Sequence, residues 1–374
     1  MNIKSLIIGS AAALATVTGA HAADAVVVPE PEPVEYVRVC DMYGAGFFYI
    51  PGTETCLAVS GLVWYQISLN STWDYWAKST RARVNFDARS ETEWGTLRGF
   101  IRIQGDWDSQ NQIQTVRTND AVGTTVGVFN YGTDGMTRID QAYITLGGFF
   151  IGYSESFWAD SKNGGASNYG SHSWSGLSYG YQQRHLIGYR FDANGFFGAL
   201  SLEDDGNTNF MPDIVGKVGF TSGAFTVWAK VAYDEDIAPA SAGWRGARAA
   251  GLSGVDGWAA QLGAQINVPN MPGSSFRVIG FYASNANAYA VGSTWSVLAS
   301  YNQQFSPTFG ASIGGQWFGD INYGAAGNPT AYQVELSIVA TPVTNLEIRA
   351  EINYYDSSTA AGVTSGFLRL TRYF

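Results

Sequence analysis

Residues 81–89 read RARVNFDAR, with a polar or charged side chain at every odd position and an apolar one at every even position. A period of two is the pattern of a β-strand with one wet face and one apolar face, and an amphipathic helix does not show it. The same alternation recurs at 226–234 and 347–354. In a soluble β-sandwich the charged face looks outward, whereas in a barrel set in lipid it looks inward. Alternation therefore predicts strands and their faces, and leaves the surroundings of each face open.

The lengths of the connections favour the barrel. Short links of about two residues alternate with long ones near 108–135, 155–180 and 235–255. Short turns on one rim and long loops on the other are typical of an all-β, antiparallel transmembrane barrel of the outer membrane. About sixteen strands are predicted, most of them near the spanning length, at 56–69, 79–90, 96–107, 136–146, 149–154, 181–191, 195–203, 213–221, 224–234, 256–268, 275–284, 293–303, 308–318, 330–340, 345–356 and 366–374.

The composition agrees with a membrane barrel. Aromatic residues make up 14% of the chain, glycine occurs 45 times and the charged fraction is only 14%. Beyond the first residues no run of about 18 apolar residues occurs, so no transmembrane helix is predicted. A formal net charge of -10 argues against a nucleic-acid partner. Aromatic side chains near the strand ends are candidates for interfacial girdles: Trp64, Tyr65, Trp94, Tyr143, Tyr189, Tyr233, Tyr282, Tyr301, Trp317, Tyr332 and Tyr354.

The N-terminal residues are of a different kind. Residues 1–22 combine one early positive charge, a short apolar run and a small-x-small site, which predicts a signal peptide cleaved before Ala23. Residues 23–55 hold a proline-stiffened run and no alternation, so an N-terminal periplasmic segment is expected there, followed by the barrel at 56–374.

Two cysteines, Cys40 and Cys56, occur in this exported chain. An oxidising compartment favours a disulfide between them, which would close a loop of about 15 residues and stabilise it by about 3 kcal/mol. Two free thiols are the alternative. At the other end, the strand predicted at 366–374 stops at the aromatic Phe374. A closed barrel pairs its last strand with its first, and Phe374 is the expected barrel-closing residue.

Three stretches resemble a known family: residues 34–41, residues 43–56 with the sequence YGAGFFYIPGTETC, and residues 142–148. They are similar to the alphaproteobacterial general porins, such as the major porins of Brucella and the rhizobia. The resemblance implies a sixteen-stranded homotrimeric barrel in contact with lipid and lipopolysaccharide, which passes small hydrophilic solutes and ions. It also implies a third external loop, at about 155–180, folded inward as a constriction. Relatives often carry several acids in that loop, whereas this one has Glu155 and Asp160 with Lys162.

Arginines of two adjacent strands are the candidate pore-lining residues. Arg81, Arg83 and Arg89 lie on the second predicted strand, and Arg98 and Arg102 on the third. Antiparallel pairing would gather them into one basic patch. Glu155 and Asp160, facing this patch, would create a transverse field at the narrowest point. The alternative is that some of these arginines are rim charges paired with lipopolysaccharide or with neighbouring acids.

Other functions have weaker support. Residues 176–180, GLSYG, match the G-x-S-x-G nucleophile pattern, but they stand at the end of a loop without the following helix that the motif needs. After cleavage only His172 and His185 remain, without metal-ligand spacing, so neither a metal nor a cofactor is expected. A saccharide-preferring channel is one alternative, because the loop carries Trp158, Tyr169, Trp174, Tyr179 and Tyr181. A secreted soluble polysaccharide-binding β-protein is another.

Overall fold

A computed structural model describes residues 38–72, 75–117, 125–159, 177–204, 210–235, 256–324 and 327–374, with only the backbone given within 108–136. The chain in these ranges begins with a 3₁₀ turn at Asp41–Tyr43. Its strands are β1 Phe47–Tyr49, β2 Cys56–Asn70, β3 Ala77–Thr92, β4 Gly95–Arg117, β5 Thr125–Leu146, β6 Phe149–Glu155, β7 Gln183–Ala193, β8 Phe196–Glu203, β9 Asp213–Ser222, β10 Phe225–Asp234, β11 Gly257–Asn267, β12 Ser275–Ala283, β13 Trp295–Ser306, β14 Phe309–Gly319, β15 Thr330–Val343, β16 Leu346–Ser357 and β17 Ala360–Tyr373. Within these ranges, no helix is long and apolar enough to cross a membrane.

Sixteen of these strands form a closed barrel. Each strand from β2 to β17 pairs antiparallel with the next along the chain, and β17 pairs back onto β2. Phe374 continues this seam, since its N–H donates to the Gly61 carbonyl oxygen at 3.1 Å and its own carbonyl accepts from the Gly61 N–H at 2.8 Å. Closure satisfies the backbone hydrogen bonds that an open edge would leave unpaired in lipid.

All sixteen predicted strands are present, with differences at a few ends. The prediction of a connection at 108–135 is wrong in large part. β4 continues to Arg117 and β5 begins at Thr125, and the two strands are paired as a hairpin up to these residues. Backbone pairing needs no apolar alternation, so the polar sequence there gave no strand signal. β17 begins at Ala360, six residues before its predicted start. The short strand β1, three residues long, was not predicted.

The barrel is polar inside and apolar outside. Lys230 and Glu335 are each only 1% exposed on the inner face, whereas Leu262 and Val231 on the outer face are 69% and 55% exposed. Along β15 the buried residues alternate with exposed valine, leucine and isoleucine. Of the two assignments that alternation leaves open, the barrel in lipid is therefore the observed one, because an apolar outer belt is stable only against hydrocarbon.

The start of the described chain is fastened to the barrel by a disulfide. Cys40 and Cys56 are bonded, as predicted, and both are buried with Phe47. β1 pairs with β2 at residues 56–58, on the same edge that β17 occupies further along. The expected signal peptide, residues 1–22, and residues 23–37 of the expected periplasmic segment lie outside the described residues and stay predictions.

Candidate functional site

The five arginines singled out from the sequence lie together on the inner wall. Strand register sets Arg89 of β3 opposite Arg98 of β4, and Arg83 opposite the buried Gln104. Residues directly opposite in an antiparallel pair share a face, so these side chains point inward. Each of the five remains partly open to the lumen, with 21–27% of its side chain exposed: Arg81, Arg83, Arg89, Arg98 and Arg102.

Acids on the same wall pair with these arginines, and the sequence analysis did not single them out. Asp87 accepts from Arg89 at 2.7 Å, Nη2 to Oδ2, and from Arg98 at 2.8 Å, Nε to Oδ1. Asp106 pairs with Arg81 through the arginine Nε. A signal for Asp87 was available, since it is in phase with Arg89 in the alternating run. Part of the basic charge is therefore balanced on the wall itself.

A β-bulge aims a third carboxylate at this wall. Arg102 pairs with Gln141 while the next residue of β4 pairs with Ile139, so Asp140 of β5 is the extra residue. Asp140 is buried, and its carboxylate lies 3.5 Å from Arg83, 3.7 Å from Arg102 and 3.9 Å from Arg138. Because one carboxylate carries one negative charge, it cannot neutralise three guanidinium groups.

The ion pairs of β3, β4 and β5 keep a positive surplus. Counting Arg138, six guanidinium groups share three carboxylates, which leaves a surplus of three positive charges. Aromatic rings hold several of the guanidinium groups against the wall. Arg81 and Arg369 both lie over the Trp64 ring, with their Cζ atoms 5.1 Å and 4.9 Å from its centroid. These cation–π contacts fix the arginines without cancelling their charge.

The connection between β6 and β7 begins and ends against the inner wall. At its end, the Leu177 N–H donates to Glu335 Oε2 at 3.1 Å, and the Ser178 N–H donates to Gln316 Oε1 at 2.7 Å. At its start, the Phe157 N–H donates to Glu203 Oε1 at 3.0 Å. Glu335 and Gln316 belong to β15 and β14, strands remote from β6 around the barrel. The described ends of this connection therefore lie within the lumen.

The charged residues expected in that connection are only partly described. Glu155 ends β6, opposite Gln183, while Asp160 and Lys162 lie outside the described residues. Burial, together with the Glu155 carboxylate, raises the pKa of Tyr179 well above its ordinary value. This phenol therefore stays neutral at physiological pH.

A second connection folds inward, and the sequence analysis missed it. Residues 284–294 join β12 to β13, and Tyr289 in their middle is 0% exposed. The Tyr289 hydroxyl lies 2.9 Å from Asp213 Oδ2 and 3.3 Å from Glu203 Oε2. Trp158 of the β6–β7 connection packs edge-on against Tyr289, with ring centroids 5.8 Å apart. Most of residues 284–294 are Ala, Asn, Ser, Thr or Gly, a composition typical of an ordinary short loop.

Comparison with known proteins agrees with this architecture. Residues 24–367 match a family model described as the Porin subfamily. The chain belongs to that family. It is 39% identical to the porin Omp2a of Brucella ovis over 63% of this chain and 72% of that one, and 34% identical to the porin Omp2b of Brucella canis over 81% of each. An OmpT structure from Vibrio cholerae in trimer form has the same fold, with a TM-score of 0.59 at 12% identity over 86% of this chain and all of that one.

The lumen is therefore the diffusion channel of an outer-membrane porin. In this porin Trp158 and Tyr179 are almost completely buried, so their rings pack the inward connections rather than face the channel. Of the G-x-S-x-G stretch, Gly176 lies outside the described residues, and the Ser178 backbone is hydrogen-bonded to the Gln316 side chain, with its N–H donating to Oε1 and its carbonyl oxygen accepting from Nε2. Within the described ranges no group of three or more His, Cys, Asp or Glu is placed to hold a metal.

Proposed function

We propose that this porin passes small hydrophilic solutes and ions down their gradients, with no bond made or broken, through a constriction between the basic wall and the connection at 155–180. The observation that supports this is the surplus of three positive charges on a wall that faces the lumen. In a narrow aqueous passage such a surplus raises the local concentration of anions and of the anionic ends of dipolar solutes. Glu155 and Asp160 supply the opposing charge, and Arg81, Arg83, Arg89, Arg98 and Arg102 the basic one.

The proposal includes the route to the membrane and the assembly state. Residues 1–22 serve as the cleaved signal peptide, and the exposed apolar belt contacts lipid, with lipopolysaccharide at the outer rim. The porin works as a homotrimer, which is supported by the family and by the trimer form of the Vibrio cholerae OmpT structure.

Single-channel recording tests the pore and its charged wall together. The detergent-purified mature protein is added to a planar lipid bilayer, and stepwise, long-lived conductances are expected. Arg81→Ala/Arg83→Ala should change the conductance and shift the reversal potential in a salt gradient toward the value of a more cation-selective channel, because the wall loses two positive charges. Arg372→Ala is the matched control, since Arg372 is exposed and bonds the turn at Thr344 and Asn345. Unchanged conductance and selectivity in the double variant would contradict the assignment of the wall.

A further inference from the structure

The connection at 284–294 is fixed to the inner wall at three points. The Asn287 side-chain amide donates to the Trp258 carbonyl oxygen at 3.0 Å. The Ala288 N–H donates to Asp234 Oδ2 at 2.7 Å, and the Tyr289 hydroxyl reaches Asp213. The acceptor residues of these bonds come from β9, β10 and β11, so the connection lies across three neighbouring strands instead of rising away from the rim.

Tyr289 carries one hydroxyl hydrogen and therefore makes one strong bond at a time. Asp213 Oδ2, at 2.9 Å, is the better acceptor, and Glu203 Oε2 at 3.3 Å is the second. Burial, followed by the two carboxylates, raises the pKa of Tyr289 well above its ordinary value. The hydroxyl therefore stays protonated and remains a donor at physiological pH.

The two inward connections share their anchors. In the first connection, the Phe157 N–H donates to Glu203 Oε1. In the second connection, the Tyr289 hydroxyl lies 3.3 Å from the other carboxylate oxygen, Glu203 Oε2. The Lys230 ammonium donates to the Trp158 carbonyl oxygen at 2.7 Å, and the Trp158 ring rests on Tyr289. At Gly180, which has a φ of +80°, an added Cβ would lie 3.4 Å from the Tyr289 carbonyl oxygen and would collide with Trp158. The described ends of the first connection are therefore packed against the second and share an anchor with it.

We propose that residues 284–294 are a second determinant of the channel opening, with Tyr289 as the positioning residue that holds the start of the β6–β7 connection, at residues 157–159, against the wall through Trp158 and Glu203. This rests on the proposed function, in which the 155–180 connection narrows the channel. Tyr289 touches no solute. It acts by keeping the described start of the first connection in one position, so that the open channel has one conductance.

Tyr289→Phe tests this, because it keeps the ring and removes only the hydroxyl. The net contribution of a buried side-chain hydrogen bond corresponds to at most about a tenfold change in an equilibrium, so its loss should raise the fraction of time spent in closed or partly closed levels by up to about tenfold. The reversal potential should stay unchanged, since the arginine wall is untouched, and that combination separates a loosened connection from general damage. Tyr65→Phe is the matched control, because Tyr65 is exposed on the outer face.

Asn287→Ala is the second variant, for use in particular if Tyr289→Phe fails to fold. It removes a different anchor of the same connection and leaves Glu203 and Trp158 intact, so a smaller rise in closures is expected. If the unaltered protein conducts steadily and the folded variants at Tyr289 and Asn287 close no more often, the inference about residues 284–294 is overturned. The proposed channel function is then unaffected. If the unaltered protein gives no current steps, the proposed function itself fails.

Discussion

Replacing Asp140 by Asn should move the ion selectivity of the channel toward anions. The substitution keeps an acceptor oxygen beside Arg83, Arg102 and Arg138 but removes the negative charge they share, so the surplus on the wall rises from three to four. An ion passing about 7 Å from a unit charge in water interacts with it by about 0.6 kcal/mol, and 0.1 M salt screens this to roughly half. Because anions gain what cations lose, the anion-to-cation permeability ratio should rise about two- to threefold.

The assay is the zero-current potential across a bilayer that separates two concentrations of potassium chloride. Arg138→Gln, which removes one positive charge from the same group, should shift this potential in the opposite direction by a similar amount. Gln141→Asn is the neutral control, because Gln141 is the adjacent inner-wall residue. A shift toward cations in Asp140→Asn, or equal potentials in all three variants, would refute the idea that the bulge tunes the charge of the channel.

Three further predictions follow from other parts of the barrel. Cys40→Ser should abolish the mobility difference between reduced and non-reduced protein on a gel. It should also lower the free energy of local unfolding of residues 39–55, measured by proteolysis, by about 3 kcal/mol according to the loop-closure entropy. Gly61→Ala should prevent barrel closure, because its Cβ would overlap a β3 carbonyl oxygen and the terminal aromatic ring, whereas Gly216→Ala, with nothing within 4 Å, should assemble normally in a heat-modifiability assay. Leu262→Lys should lower the free energy of unfolding in lipid by about 2–4 kcal/mol, while the apolar change Leu262→Ile should cost far less when urea unfolding is measured in vesicles.

Much of the barrel could be predicted because every spanning residue faces either lipid or the wet lumen. Because of this constraint, polar and apolar residues alternate along each strand, so runs such as 81–89 predict both a strand and its inner face. The constraint acts only within the bilayer. The hairpin of β4 and β5 beyond residue 107 shows backbone pairing, and its polar sequence does not show the alternation that would predict it.

The contacts that complete the site depend on register and on distant strands. Asp140 points at three arginines because of a single extra residue in the pairing of β5 with β4, and one inserted residue has no signature in a run of side-chain types. Tyr289 meets Glu203 and Asp213 across more than seventy residues of chain. Only the curvature of the closed sheet brings those positions together, so a local pattern could not reveal them.

The seam between β2 and β17 also sets the order of events in folding. Its nine paired positions join residues about 300 apart in the chain, from Leu62 with Tyr373 to Asn70 with Ser365. Contacts of such long range form late, because the entropy of closing so large a loop must be overcome before any of them is made. A sheet of β2 to β16 that lacks β17 would have two unpaired edges, and β1 would cover only three residues of one of them. A second unfinished chain nearby competes for the same edges, so protection by a chaperone is needed most during this interval.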